Sequence, residues 1–158
     1  LDERDIPVSD VQPGDQFPLG EAVVDILGPA RDFTNINNQS VVCKVTYQDQ
    51  QFLFMGDAEQ AAEQALLEAD ADLSADFIKI GHHGSRTSTQ KMFIKQVNPS
   101  LAVITCGAGN SYGHPHQQVI DLLKTLNIRV YRSDIHGTIV VSGTGQGQLT
   151  VSTERDAA

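Results

Sequence analysis

The 158-residue chain is poor in cysteine, with only Cys43 and Cys106. Each sits inside an apolar run, and the two are not spaced as a Cys-x-x-Cys pair, so a disulfide framework is not expected and both read as buried core thiols. Basic residues are also scarce: Lys and Arg total 11 against 20 Asp and Glu, a formal net charge of −9. Such a chain is a poor generic binder of nucleic acid or of an anionic membrane. Any contact with phosphate has to be local, through metal ions or a few placed donors. No apolar run approaches the roughly 18 residues of a membrane span. The opening LDERDIPVSD has neither the basic region nor the apolar core of a signal peptide, so a soluble chain is expected. Internal repeats and low-complexity blocks are absent as well. The remaining composition, 40% hydrophobic and 20% charged, is that of one globular domain.

Residues 1–20 are polar and hold Pro7, Pro13, Gly14, Pro18 and Gly20, which predicts an extended lead-in with turns. Ala22–Leu27 is a β-rich run stopped by Gly28-Pro29, and 30–39 form a polar loop. Ser40–Tyr47 and Gln51–Met55 are β-rich runs joined as a hairpin. The pattern then changes to alternating elements. A helix is expected over Ala58–Ala69, a strand over Asp76–Ile80, a helix over Thr87–Val97 and a strand over Leu101–Thr105. A helix from Pro115 to Leu126 follows, with Pro115 in its first turn. Arg129–Tyr131 is a short strand. Thr138–Ser142 and Gln148–Ser152 form a last hairpin, and 153–158 read as a frayed tail. Strands first and βα units later predict a mixed α/β (α+β) domain over 21–152, with helices covering a sheet.

The polar residues gather just after apolar strands. Gly56-Asp57 follows QFLFM, and Gly81-His82-His83-Gly84-Ser85 follows DFIKI. Asn110-Ser111-Tyr112-Gly113-His114-Pro115-His116 follows LAVIT. Asp57 has two roles open to it, a helix N-cap and a metal-binding carboxylate, and its two oxygens allow both. Tandem histidines between glycines are harder to explain as surface residues. In an extended segment they point to opposite sides, so one binds metal while the other orients it or meets substrate. The flanking glycines permit close backbone approach. Ser85 or Ser88 is expected to cap a helix. Asn110, Tyr112 and His114 are donors suited to a phosphate oxygen. His116 reads as an exposed first-turn residue, His136 as a turn residue and Asn35–Ser40 as an ordinary Asn-rich loop.

At these residues a resemblance becomes specific. NNQSVVCKV, FLFMGDAE, DFIKIGHHGS and NSYGHP, in this order, resemble the metallo-β-lactamase-fold domain of the ComEC family, membrane channels for DNA uptake in competent bacteria. The resemblance covers roughly residues 10–145. It implies an αββα sandwich whose strand-end loops hold two metal ions. Asp57 would match the bridging carboxylate, and either His82 or His83 a further ligand. Asn110, Tyr112 and His114 would border the scissile phosphate. The family's HxxxDH-type cluster has no counterpart, because no histidine precedes His82. Nor is there a histidine at Gly28-Pro29, where some members of the superfamily carry one. The chain therefore resembles the C-terminal half of the sandwich.

The resemblance implies metal-dependent hydrolysis of phosphodiester bonds with Mn or Zn, one or two ions, acting on the DNA strand that is not imported. His114 or the non-ligand member of the His82/His83 pair would protonate the leaving oxygen. The implied partners are single-stranded DNA, met through the metals, together with the first half of the domain and the membrane channel of a longer parent. That parent would sit in the bacterial plasma membrane with this domain on the extracytoplasmic face. A half-sandwich exposes an apolar face, so self-association is a further expectation. This piece alone is expected to be inactive. The alternatives are a phosphorylcholine-esterase-like or other small phosphoesterase, and a non-catalytic scaffold or interaction domain.

Overall fold

The computed structural model describes residues 7–156. The outermost parts of the expected lead-in (1–6) and tail (157–158) lie outside the described residues. The first strands are β1 (Gln16–Leu19), β2 (Ala22–Gly28), β3 (Val42–Tyr47) and β4 (Gln50–Phe54). Helix and strand then alternate: α1 (Gln60–Glu68), β5 (Phe77–Lys79), α2 (Lys91–Val97), β6 (Leu101–Ile104), α3 (Gln117–Thr125) and β7 (Arg129–Arg132). A one-turn helix α4 (Ser133–His136) and the hairpin β8 (Ile139–Ser142) and β9 (Thr150–Thr153) complete the order. Strands β1 to β7 lie in sequence order in one sheet of seven. Pairing is antiparallel from β1 to β4 and parallel from β4 to β7. The mixed α/β architecture read from the sequence is therefore what the chain forms.

Parallel neighbours need crossovers, and α1, α2 and α3 supply them. All three pack on one face of the sheet. Leu53, Ile78 and Ala102 stand in one register row and meet Leu66 of α1, Phe93 and Ile94 of α2, and Leu123 of α3. On the other face Phe77, Leu101 and Val103 pack under the β8–β9 hairpin through Ile139, Val141 and Leu149. Buried Gln50 fastens that hairpin: its Oε1 accepts the Gly145 N–H at 2.9 Å and its Nε2 donates to the Gly147 carbonyl at 3.2 Å. The hairpin covers the parallel half only. Beyond it Phe17, Val24 and Val45 lie side by side across β1 to β3, in a row that runs on to Phe52 at the border of the hairpin-covered cluster, with Phe17 42% and Phe54 37% exposed.

Several local expectations are corrected. Gln16–Leu19 is a strand, within what reads as lead-in. Helix α1 begins at Gln60, so Asp57 is not its N-cap; Glu59 holds that position without a side-chain bond. Its orphan N–H groups are met instead by buried Asn38, whose Oδ1 accepts from Glu59 N at 3.0 Å and Ala62 N at 3.2 Å. Helix α2 begins at Lys91, because Thr89 has a positive φ of 67° that a helix does not tolerate. Neither Ser85 nor Ser88 caps it. The Glu63 carboxylate, buried on α1, accepts the N–H groups of Thr89 and Gln90 just ahead of it. Burial pushes Glu63 up, and those backbone donors pull it partly back. Pro115 and His116 precede α3, which begins at Gln117.

Both cysteines are half-buried, not fully so. Cys43 pairs with Phe54 on the partly open face, whereas Cys106 packs against the helix-side core. Burial, with Asp134 beside it, pushes the Cys106 thiol up to about 11. His136 is buried in α4, its Nδ1 bonded to the Arg132 main chain, and is not a turn residue. The C-terminal stretch is tied in as far as Arg155: Thr138 donates to the Glu154 carboxylate at 2.9 Å, and Arg155 N to the His136 carbonyl at 3.0 Å.

Lys44 is a buried cation, opposite Asp25 on β2 and Leu53 on β4. Its Nζ donates to the carbonyl of Asp72 at 2.8 Å and to its carboxylate at 2.6 Å. The Lys44 bond, helped by Ser74, holds the Asp72 carboxyl below its ordinary value. A depressed carboxyl stabilises the fold above its unfolded pKa of about 4, and that contribution is lost as pH falls through the folded value. Unfolding stability followed from pH 7 to pH 2 should therefore fall on the acid side, and Asp72→Asn should flatten that limb. Superimposable acid limbs would contradict the pairing.

Candidate active site

Strands β4, β5 and β6 are parallel and in register, with Phe54 opposite Lys79 and Phe77 and Lys79 opposite Leu101 and Val103. Their following loops consequently leave from one edge of the sheet, the carboxyl edge where open α/β sheets bind ligands. Gly56-Asp57 comes from the first loop, His82-His83 from the second and the Asn110–His116 segment from the third. Strand β3 runs antiparallel to β4, so the Asn35–Ser40 loop before it arrives at the same edge. Sequence adjacency to strand ends thus becomes spatial convergence.

The His82-His83 pair is not in an extended segment. Gly81–Gly84 form a single tight turn in which His82 (φ 43°) and His83 (φ 55°) are both left-handed. Two glycines make that turn possible. A Cβ on Gly81 would lie 2.6 Å from the Ala58 carbonyl, and one on Gly84 would lie 2.7 Å from Pro115. Close approach of the backbone, expected from the glycines, is what the packing requires. The turn puts both imidazoles on the same side of the edge, ring centroids 6.3 Å apart. The ring of His114 lies 5.6 Å from that of His82 and 6.4 Å from that of His83.

His82 and His83 each have one ring nitrogen assigned by a partner. His83 Nδ1 is 2.6 Å from the Thr105 carbonyl, which can only accept, so Nδ1 carries the hydrogen. Its Nε2 then faces Asp57 Oδ1 at 3.4 Å. In the neutral ring that nitrogen is an acceptor, and with the carboxylate it suits a cation held between them. A metal-binding imidazole that donates its other N–H to a backbone carbonyl is the usual orienting arrangement. Asp57 is itself fixed from behind, its N–H donating to Ser40 Oγ at 3.0 Å. Half-buried Lys79 donates to the Gly56 carbonyl at 2.9 Å and braces the same turn. Burial lowers the Lys79 pKa, and the Asp57 charge opposes that shift.

His82 is held by a carboxylate that sequence reasoning did not single out. Its Nδ1 lies 2.9 Å from Glu59 Oε1. Glu59 also accepts from the Thr87 hydroxyl at 2.9 Å and from the amides of Asn35 at 2.8 Å and Asn37 at 3.4 Å. The Asn-rich loop is more than an ordinary turn: it orients Glu59, and through it His82. The available signal was the two-residue spacing of Asp57 and Glu59 after a strand.

The third loop is organised by Asn110. Its Oδ1 accepts the His114 N–H at 3.0 Å, and its Nδ2 donates to the carbonyls of Gly107 and His114. The Asn110 side chain is committed to holding the loop and does not point outward as a free phosphate donor. Tyr112 is 77% exposed and stacks on His114, with centroids 5.7 Å apart and planes 21° apart. Desolvation lowers the His114 pKa, and the neighbouring His116, His82 and His83 act in the same direction against a smaller opposing pull from Asp57. His116 is half-buried, not an exposed first-turn residue, and its Nδ1 accepts the Arg86 N–H at 3.2 Å.

Asp57 and His83 fit two ligands of a divalent ion, and His82 stands beside them. Among the described residues, no three His, Cys, Asp or Glu side chains stand close enough together to hold a metal ion. No described helix is long and apolar enough to cross a membrane.

Comparison with known proteins gives a consistent set of relatives. ComE operon protein 3 of Bacillus subtilis is 37% identical over 87% of this chain and 18% of its own length. Competence protein ComA of Neisseria gonorrhoeae is 31% identical over 70% of this chain and 16% of its own. Recombination protein 2 of Haemophilus influenzae is 32% identical over 74% of this chain and 15% of its own. The chain thus spans less than a fifth of the curated relatives it matches. No family model matches the chain.

The hydrogen bonds around His82 make a direct prediction. In Glu59→Ala the imidazole loses the acceptor that fixes hydrogen on Nδ1. Imidazole ¹⁵N NMR should report the Nδ1–H tautomer of His82 in the unaltered protein and a shift toward Nε2–H in the variant. The same tautomer in both would show that Glu59 does not orient the ring.

Proposed function

Since the chain belongs to the ComEC family, we propose that it forms the second half of a metallo-β-lactamase-like phosphodiesterase domain within a longer membrane protein, acting on the DNA strand that is not imported during competence. The observation that carries this reading is the meeting of Asp57 Oδ1 with Nε2 of His83 at the carboxyl edge of the sheet, 3.4 Å apart.

In this reading Asp57 and His83 hold a divalent ion, Mn or Zn, both of which accept mixed carboxylate and imidazole ligands. When bound, such an ion supplies hydroxide at neutral pH and offsets charge on the leaving oxygen. Glu59 keeps His82 oriented at the flank. Asn110 holds His114, whose imidazole faces His82 and His83 and moves a proton to the leaving oxygen. Burial and three neighbouring imidazoles disfavour its protonated form, and the Asp57 charge opposes that shift. The remaining ligands come from polypeptide outside these residues, so this piece is inactive alone. The open face of β1 to β4 is where that polypeptide packs; in the isolated chain it drives self-association. The parent lies in the bacterial plasma membrane with this domain outside.

The absence of a three-ligand cluster among the described residues favours one second reading, an interaction module without chemistry of its own. The two separate in the parent protein. Asp57→Ala there should lower Mn²⁺-dependent cleavage of single-stranded DNA by about a hundredfold or more, as loss of a ligand or of its support does at metal sites. Cleavage at the unaltered rate would remove Asp57 from the chemistry and leave the module reading.

A further inference from the structure

Beside the Asp57–His83 pair lies an open pocket of about 460 Å³, lined by His83, Cys106, Gly107, Tyr112 and His114 among others. Its wall is mainly apolar and carries no lysine, arginine or carboxylate side chain. At its rim stands Tyr112, 77% exposed. Its ring is accessible for stacking by a ligand. It is also preorganised. One ring face is backed by His114 at 5.7 Å, and the loop carrying both is closed by the three Asn110 bonds. Gly109 (φ 66°) and Gly113 (φ 72°) let the chain turn tightly on either side of Tyr112.

We infer that this pocket is a nucleobase subsite, in which the base of an unpaired nucleotide stacks on Tyr112 while its phosphate lies toward Asp57 and His83. The inference rests on the phosphodiesterase reading and adds what the site selects. His83 is the link, because the same ring that faces Asp57 also lines the pocket. With a net charge of −9 and no cationic side chain in the wall, the base is held by stacking and not by general attraction to phosphate. Stacking of this kind needs an exposed base face, which a duplex conceals and a single strand offers.

The test uses the chain itself, without divalent metal, and follows the Tyr112 ring protons by NMR. Deoxyadenosine monophosphate should shift them saturably, whereas 2-deoxyribose 5-phosphate, which lacks the base, should leave them in place. Followed in the variants through the His114 imidazole signals, Tyr112→Ala should weaken deoxyadenosine monophosphate binding by about tenfold or more, the usual cost of losing one stacking partner. Tyr112→Phe should bind as the unaltered chain does. Because Tyr112 is exposed, both variants are expected to fold. Equal shifts from the abasic sugar phosphate would overturn the inference, as would no response to any nucleotide. A preference for phosphocholine would do the same and assign the aromatic face to a quaternary ammonium group. Absence of DNA cleavage by the unaltered parent, with nucleotide binding intact, would instead strike the phosphodiesterase reading and leave the subsite standing.

Discussion

The parallel register of β4, β5 and β6 is the constraint on which the site depends. Phe54, Lys79 and Val103 lie abreast, so the loops that follow them must leave from one edge. The antiparallel pairing of β3 with β4 adds the Asn-rich loop to that edge from the opposite chain direction. Four segments separated by up to about eighty residues therefore meet within hydrogen-bonding distance. The register is itself secured by burial: Leu53, Ile78 and Ala102 point at the helices, and a one-residue slip would turn those rows toward the opposite face.

At that edge the backbone is committed before any ligand arrives. Gly81 and Gly84 allow contacts to Ala58 and Pro115 that a side chain would block, and the left-handed His82 and His83 follow from the turn between them. A left-handed non-glycine residue costs free energy, and tandem examples are kept where the surroundings fix them. Here the fixing contacts are specific: Thr105 for His83, Glu59 for His82 and Ser40 for Asp57. The result is a preorganised set of donor atoms with tautomers already chosen, which is what a metal-binding site needs from its protein.

The sequence made the fold largely legible, because periodicity and breakers change sharply after Phe54, where hairpins give way to βα units. The HHGS and NSYGHP segments stood out as a candidate site because ordinary turns do not need so many imidazoles, and the structure brings them to one edge. What escaped was set by tertiary contact. Asn38 caps α1 from 21 residues away, a role that local reading hands to Asp57. Glu63 serves the start of α2 in the same way and displaces Ser85 and Ser88. Asn110 looked like a phosphate donor, but its polar atoms are used within its own loop, and that is visible only once the loop is closed. The tandem histidines were found, yet their turn was not, since the left-handed pair depends on Ala58 and Pro115 closing in on Gly81 and Gly84.

The central claim is that Asp57 and His83 form a preorganised half of a metal site. The most direct test is paramagnetic broadening by Mn²⁺ in NMR spectra of this chain. The account predicts that signals of Asp57 and His83 broaden at the lowest Mn²⁺ concentrations, that buried His136 does not respond, and that Asp57→Ala removes the effect. Broadening that persists unchanged in Asp57→Ala, or that never reaches His83, would contradict it.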